Sequence, residues 1–231
     1  MKILGLIPAR GGSKGVPHKN KKVLGDLPLI SYSINSAIKS KLIHNILVST
    51  DCVDLFQIAE NSGCKPPFIR PSALSQDSST SLEVVQHAIS FFEEQGILYD
   101  AVCLLQPTSP FRKEGFIDSA IQQFIDKQVD SLVSVLPVPH EYNPHWTFEI
   151  QEKGLLKIAT GEEHIIPRRQ DLPKAYHRDG SIYITKVSVL KQGSFYGDSM
   201  AYIESDPEWY VNIDTLYDWN RAEELRIKLG I

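Results

Sequence analysis

Strand-length apolar stretches alternate with segments whose apolar residues recur at helical spacing, and this alternation constrains the chain more than any other feature. Lys2 to Pro8, Asn45 to Thr50, Ala101 to Gln106 and Ser131 to Leu136 read as strands. Between them Ile30, Ile34, Ala37 and Ile38 form one helical stripe, and Leu82, Val85, Ala88, Ile89 and Phe92 form a second. Phe116, Ile117, Ala120, Ile121, Phe124 and Ile125 form a third. Such an order predicts an α/β fold with a mainly parallel sheet covered by helices. The second helix has a visible start, because Thr80 and Glu83 stand at capping-box spacing, in which each side chain satisfies an orphan backbone donor. After Leu136 the rhythm breaks at Pro137, Pro139 and Pro144, and two short apolar runs around Glu152-Lys153-Gly154 predict a hairpin within an insertion. Regular patterning returns with a strand from Ser181 to Thr185 and a last helix after Thr215, carrying Leu216, Trp219, Ala222, Leu225 and Leu229.

A length of 231 residues suits one large domain with a sizeable core. Net charge of -4 argues against a nucleic-acid partner, which would call for a basic stripe. The one dense basic stretch, Arg10 to Lys22, lies in a glycine-bearing loop, where it concentrates charge at a site. Three cysteines, Cys52, Cys64 and Cys103, lack C-x-x-C spacing and imply no disulfide framework. The apolar N-terminus is too short for a signal peptide and no apolar run reaches the roughly 20 residues a bilayer requires, so no membrane role is expected and the cytoplasm is the default location.

The first strand runs directly into Ala9-Arg10-Gly11-Gly12-Ser13-Lys14-Gly15-Val16-Pro17-His18-Lys19-Asn20. In open α/β sheets ligands bind beyond the carboxyl ends of the strands. Here glycines let backbone N–H groups approach an anion, while Arg10, Lys14 and Lys19 bring three cations to it, a combination suited to a polyphosphate. The spacing is neither G-x-x-x-x-G-K-[ST] nor G-x-G-x-x-G, so the common P-loop and dinucleotide patterns do not apply.

Ile7-Pro8-Ala9-Arg10-Gly11-Gly12-Ser13-Lys14-Gly15 with Lys19-Asn20 resembles the signature of the acylneuraminate cytidylyltransferases, the CMP-sialic acid synthetases. The resemblance continues in order through Ser49-Thr50-Asp51, Arg70-Pro71 with Leu74 and Asp77, and Gln106-Pro107-Thr108-Ser109-Pro110. It extends through Arg169-Gln170 with Leu172-Pro173, Gly180-Ser181-Ile182-Tyr183-Ile184, and Ile213-Asp214-Thr215, covering nearly the whole chain. It implies a Rossmann-like three-layer α/β sandwich of nucleotidyltransferase (GT-A-like) architecture, with an inserted segment at about 138–178 through which two copies form a homodimer. It also implies transfer of CMP from CTP to the anomeric hydroxyl of a nine-carbon keto sugar acid of the sialic, legionaminic or pseudaminic type, releasing pyrophosphate.

By the same resemblance Arg10, Gly11, Gly12, Ser13, Lys14 and Lys19 would hold the triphosphate, with Arg10 and Lys19 stabilising the charge that develops during transfer. Asn20, Arg70 and Ser81 would line the cytosine end. Gln106 would contact the sugar acid, Arg169 would approach the sugar carboxylate from the other subunit, and Tyr183, Phe195 and Tyr196 would shape the sugar pocket. Plain readings stand beside these: a surface ion pair for Arg70, a turn-bracing amide for Gln106, a helix cap for Asp214 and ordinary core for the aromatics. His18 and His44 are expected to be surface or structural residues.

Mg2+ is the expected cofactor, with Asp214 and Asn212 as its protein ligands. The resemblance is to enzymes with Asp-Ile-Asp here, whereas this chain reads Asn212-Ile213-Asp214, which leaves one carboxylate fewer. A second departure is Asp179 before Gly180, where Asn is usual; a carboxylate there is expected to repel the substrate's own unless Arg178 or Arg169 offsets it. The alternatives are a Kdo-type or other sugar nucleotidyltransferase, disfavoured by the Ser-Lys-Gly and Lys-Asn elements, and a non-catalytic nucleotide-binding module, kept open by Asn212 and Asp179.

Overall fold

The computed structural model describes all 231 residues. In chain order the elements are β1 (Ile3–Pro8), β2 (Val23–Leu24), β3 (Leu27–Pro28), α1 (Leu29–Lys39), β4 (Asn45–Ser49), α2 (Val53–Asn61), α3 (Ser81–Glu94), β5 (Ala101–Leu104) and α4 (Phe116–Lys127). They continue with β6 (Ser131–Pro137), β7 (Phe148–Ile150), β8 (Leu156–Ile158), β9 (Tyr176–Lys186), α5 (Val187–Lys191), β10 (Met200–Glu204) and α6 (Leu216–Leu229). Six strands make the central sheet in the order β10, β6, β9, β5, β1, β4. Neighbouring strands are parallel except where β9 lies antiparallel to both β5 and β6.

Side chains alternate across a strand, so one strand serves two cores. From β1, Ile3 and Ile7 enter a core with Ile30 and Ile34 of α1, Leu55 of α2, and Ile121 and Phe124 of α4. Leu4 and Leu6 enter the opposite one, with Val85, Ala88, Ile89 and Phe92 of α3 and Leu190 of α5. Helices on both faces of the sheet give the three expected layers. The capping box at the start of α3 is formed, with Thr80 accepting from the Glu83 N–H and Glu83 accepting from the Thr80 N–H. A smaller core of Val16, Leu24, Leu29, Phe111, Val211, Ile213, Trp219 and Ala222 ties the loop after β1 to α6. Val16 is fully buried in it, which fixes the middle of that loop.

Two features depart from the sequence reading. β5 ends at Leu104, so Gln106 follows the strand. β9 begins at Tyr176, well before Ser181, and includes an irregularity: beyond the Val133–Tyr183 pair, an unbroken ladder would match Val135 with Ser181, but Val135 matches Arg178. The expected hairpin forms from β7 and β8, antiparallel and separate from the central sheet. No helix is long and apolar enough to cross a membrane.

Candidate active site

The loop after β1, the segments 70–81 and 106–108, and Asp214 enclose a cleft of about 380 Å³ beyond the carboxyl ends of β1 and β5. Arg10, Gly12, Ser13, Lys14, Lys19, Asn20, Arg70, Ser81, Gln106 and Asp214 all line it. The position follows from topology, since two adjacent parallel strands both end here and their following segments must diverge. A separate cleft of about 350 Å³ beneath Tyr32, Phe111 and Trp209 includes none of the residues of the loop after β1.

The loop is braced from below. Asn20 is buried and donates from Nδ2 to the Arg10 carbonyl at 3.0 Å, closing the loop on itself. Ser13 Oγ donates to the Val16 carbonyl and accepts from the Lys19 N–H at 2.9 Å. The Gly11 N–H donates to Asp51 at 2.9 Å. Gly15 comes so close to the segment before α6 that an ideal Cβ would stand 1.9 Å from the Asp214 carbonyl oxygen, a contact only glycine permits. Gly12 has open space around its Cα.

Lys19 reaches across the cleft, donating to the Ile213 carbonyl at 2.5 Å and to Asp214 Oδ1 at 3.1 Å. Asp77 takes Arg10 at 2.9 Å and Lys14 at 2.6 Å, and the hydrogen bond from Lys14 helps hold its carboxyl below the usual range. Arg70 is buried; burial lowers its pKa, while Asp51 at 3.6 Å works in the opposite direction. It is therefore no surface ion-pair residue. Ser81 opens α3, one residue after the cap. Asp214 is not the cap of α6, because Thr215 fills that position with Asp218 as its reciprocal partner. Asn212 Nδ2 donates to Asp214 Oδ2 at 2.7 Å, so the two side chains lie together.

The turn after β5 is held by the Gln106 carbonyl, which accepts from the Ser109 N–H and from Arg112. The Gln106 side chain does not brace that turn. Tyr183 is buried against the α3 face of the sheet, its ring centroid 6.2 Å from that of Phe195. The half-exposed Tyr196 accepts from Arg178 at 3.4 Å. The two tyrosines lie beside Arg178, and none of the three aromatics lines the cleft of the glycine loop. Arg169 is exposed in a short turn at 169–171 and does not line the cleft of its own chain either.

Asp179 requires a correction. Its carboxylate does not extend toward the cleft to repel an acid; it is buried, accepting from Ser134 Oγ, Ser205 Oγ and the Ser181 N–H. The sequence reading assigned no individual role to Asp51, Asp77 or Arg112. Asp51 and Asp77 lie within motifs it recognised, but nothing local marks which cation each would meet. Arg112 follows the Pro-Thr-Ser-Pro turn and carries no pattern of its own.

A family model described as cytidylyltransferase matches residues 4–198. The chain is 36% identical over 206 residues to the pseudaminic acid cytidylyltransferase of Campylobacter jejuni, covering 89% of this chain and 82% of that protein. It is 34% identical over 229 residues to the CMP-N,N'-diacetyllegionaminic acid synthase of Legionella pneumophila, covering 97% and 96%. Among solved structures, a CMP:2-keto-3-deoxy-manno-octonic acid synthetase complexed with CTP superposes with a TM-score of 0.73 over 99% of this chain and 100% of that one, at 16% identity.

Proposed function

The chain belongs to the cytidylyltransferase family, and from that premise we propose that it transfers CMP from CTP to the anomeric hydroxyl of a nine-carbon keto sugar acid of the pseudaminic, legionaminic or sialic type. The observation that carries the reading is the opposition, across one cleft, of a cation-bearing glycine loop and the Asp214 segment, with Lys19 bridging them. A triphosphate has its anionic tail matched by Arg10, Lys14 and Lys19, while the buried Asn20 and Arg70 with Ser81 at the head of α3 form the nucleoside side. Gln106, on the same wall, reaches the acceptor.

The sugar's 2-hydroxyl oxygen forms a bond to the α-phosphorus as the bond from that phosphorus to the β-phosphate oxygen breaks, and pyrophosphate leaves with the electron pair. The hydroxyl proton passes to solvent. Negative charge accumulates on the departing oxygens, where Lys19 and Arg10 provide preorganised positive charge, so no covalent protein intermediate is required. Asp214 with Asn212 has the composition of an Mg2+ site, since that ion commonly takes one or two carboxylates and completes its shell with phosphate oxygens and water. When bound there, it would neutralise phosphate charge. Use of CTP fits a cytoplasmic setting.

The insertion carries a further part of the proposal. Phe148, Ile150, Leu155 and Leu156 of the β7–β8 hairpin are exposed, as expected of a surface that pairs with a second copy and presents Arg169 to its neighbour's cleft.

Pyrophosphate release with CTP, Mg2+ and a panel of pseudaminic, N,N'-diacetyllegionaminic and N-acetylneuraminic acids tests the activity. Lys19→Ala and Arg10→Ala are each expected to lower kcat by about 10²-fold or more, the scale of removing one preorganised charge-stabilising group. Both should stay folded, because neither side chain belongs to a core. Near-normal turnover in folded variants would overturn the assignment, and CTP binding without pyrophosphate release would favour a non-catalytic module.

A further inference from the structure

Two ionisable side chains buried behind the cleft take no direct part in the reaction proposed above. Arg112 is buried, 8% exposed, and makes no ion pair in contact. It donates to the Ser181 carbonyl at 3.2 Å from Nε and 2.8 Å from Nη2, to the Gln106 carbonyl at 3.0 Å, and to Ser33 Oγ at 3.0 Å. Burial pulls its pKa down to about 10, and Asp179 is among the charges that oppose the fall, so it stays protonated at neutral pH. Asp179 is 3% exposed and accepts two serine hydroxyls and one backbone N–H. Between these two lies the irregular part of β9. There Gly180 has φ +81°, and an ideal Cβ on it would stand 3.2 Å from both Gln106 Oε1 and Ser109 Oγ. Ser109 Oγ in turn donates to the Asp179 carbonyl at 3.2 Å.

This geometry has one consequence for the cleft. Gly180 forms a wall against which the Gln106 amide rests, and Arg112 joins the Gln106 backbone to the same strand. Asp179 holds the strand on its other side, to β6 through Ser134 and to the end of β10 through Ser205. A buried cation and a buried carboxylate that do not touch are costly unless hydrogen bonds compensate each, and every polar atom of both side chains has a partner. Ordinary strand pairing would need neither. We propose that Asp179 and Arg112 are positioning residues that fix the β9 irregularity and so hold the Gln106 amide at the angle required to receive the sugar acid. The inference rests on the reading of Gln106 as an acceptor-binding group, and it reverses the role that position 179 suggests in the sequence: the carboxylate shapes the sugar wall from behind.

The test compares Asp179→Ala, Asp179→Asn, Ser205→Ala and Gly180→Ala, using whichever of the three named sugar acids the wild type turns over best. In Asp179→Ala and Gly180→Ala the KM for the sugar acid is expected to rise about ten-fold or more with the KM for CTP within about two-fold, as loss of acceptor positioning predicts. Asp179→Asn should recover most of the loss, because its oxygen still accepts from Ser134 and the Ser181 N–H while its amide donates to Ser205. Ser205→Ala, which leaves the strand intact, should give a smaller rise in the same KM and decides the matter if Asp179→Ala does not fold. Crystal structures of wild type, Ser205→Ala and Gly180→Ala, compared at Gln106, give a readout independent of turnover. A wild type inactive on all three acids would sink the functional reading and leave the structural comparison to judge this one. Sugar-acid and CTP KM values that move together, or a Gln106 amide unmoved in Gly180→Ala, would overturn the inference.

Discussion

Gly15 shows how a single missing side chain sets the site. The loop after β1 touches the segment before α6 backbone to backbone, and a Cβ placed 1.9 Å from the Asp214 carbonyl oxygen would force them apart. Both sides carry groups of the proposed reaction, Lys19 on one and Asp214 on the other, so Gly15→Ala should displace them relative to each other. A misplacement near 1 Å is worth about 10²-fold in rate, and a fall of that order in kcat/KM for CTP is the expected outcome. The melting temperature should fall as well, because Val16 of the loop and Val211 and Ile213 of the facing segment share the smaller core, so the kinetics are compared at a temperature where the variant is folded. Unchanged kinetics in the folded variant would contradict the assignment. At this scale much is legible in the sequence: Arg10, Lys14, Lys19, Asn20 and Arg70 converge on one cleft because a glycine loop closing the first strand has only one end of the sheet to occupy. Asp179 is not legible. Its direction is decided by the irregularity in β9, and a strand residue shifted in register faces the opposite side of the sheet.

Elements are fastened to one another by single carboxylates as well as by cores. Asp118, in the first turn of α4, accepts from the Lys41 N–H at 3.0 Å, from the Leu42 N–H at 3.2 Å and from Ser40 Oγ, joining α4 to the connection between α1 and β4. Partial burial raises its pKa, but these hydrogen bonds outweigh that effect and hold it below the usual range. A depressed pKa means stability that is complete above the unfolded value near 4 and is lost as pH falls through the folded one. Asp118→Asn should therefore cost about 1 kcal/mol at pH 7, a figure reduced from that of a buried charged hydrogen bond because the carboxylate is only partly buried. Melting curves recorded from pH 7 down to 3 should show the gap between wild type and variant closing below pH 4; a constant gap would disprove the linkage. The long, strongly periodic helices and the strands between them are readable from sequence because their spacing repeats. α2, α5 and β10 are not, being short or at the edge of the sheet, where Met200, Tyr202 and Glu204 face solvent and only Ala201 is buried.

On the scale of the whole molecule, the cores flanking the sheet account for one chain, while the insertion is left with apolar surface and no cover. An isolated two-stranded hairpin is marginal in water, yet β7 and β8 expose Phe148, Ile150, Leu155 and Leu156 and bury only Ile158. Exposed apolar clusters of this kind mark association surfaces. The same insertion holds Arg169 outside the cleft of its own chain, so a role for it at a sugar carboxylate requires the cleft of a second copy. Introducing Ile150→Glu with Leu155→Glu places charge on that surface without touching the central sheet. Sedimentation equilibrium should then report a monomer, against the dimer proposed for the wild type, with the melting transition of the sheet domain retained. If Arg169 acts across the interface, the monomer should lose sugar-acid affinity by about ten-fold or more while keeping its affinity for CTP, because the nucleotide cleft lies within one chain. Arg169→Ala in the unaltered dimer should reproduce the same selective loss. A monomer with full activity, or a dimer indifferent to Arg169, would confine the reaction to residues of a single chain.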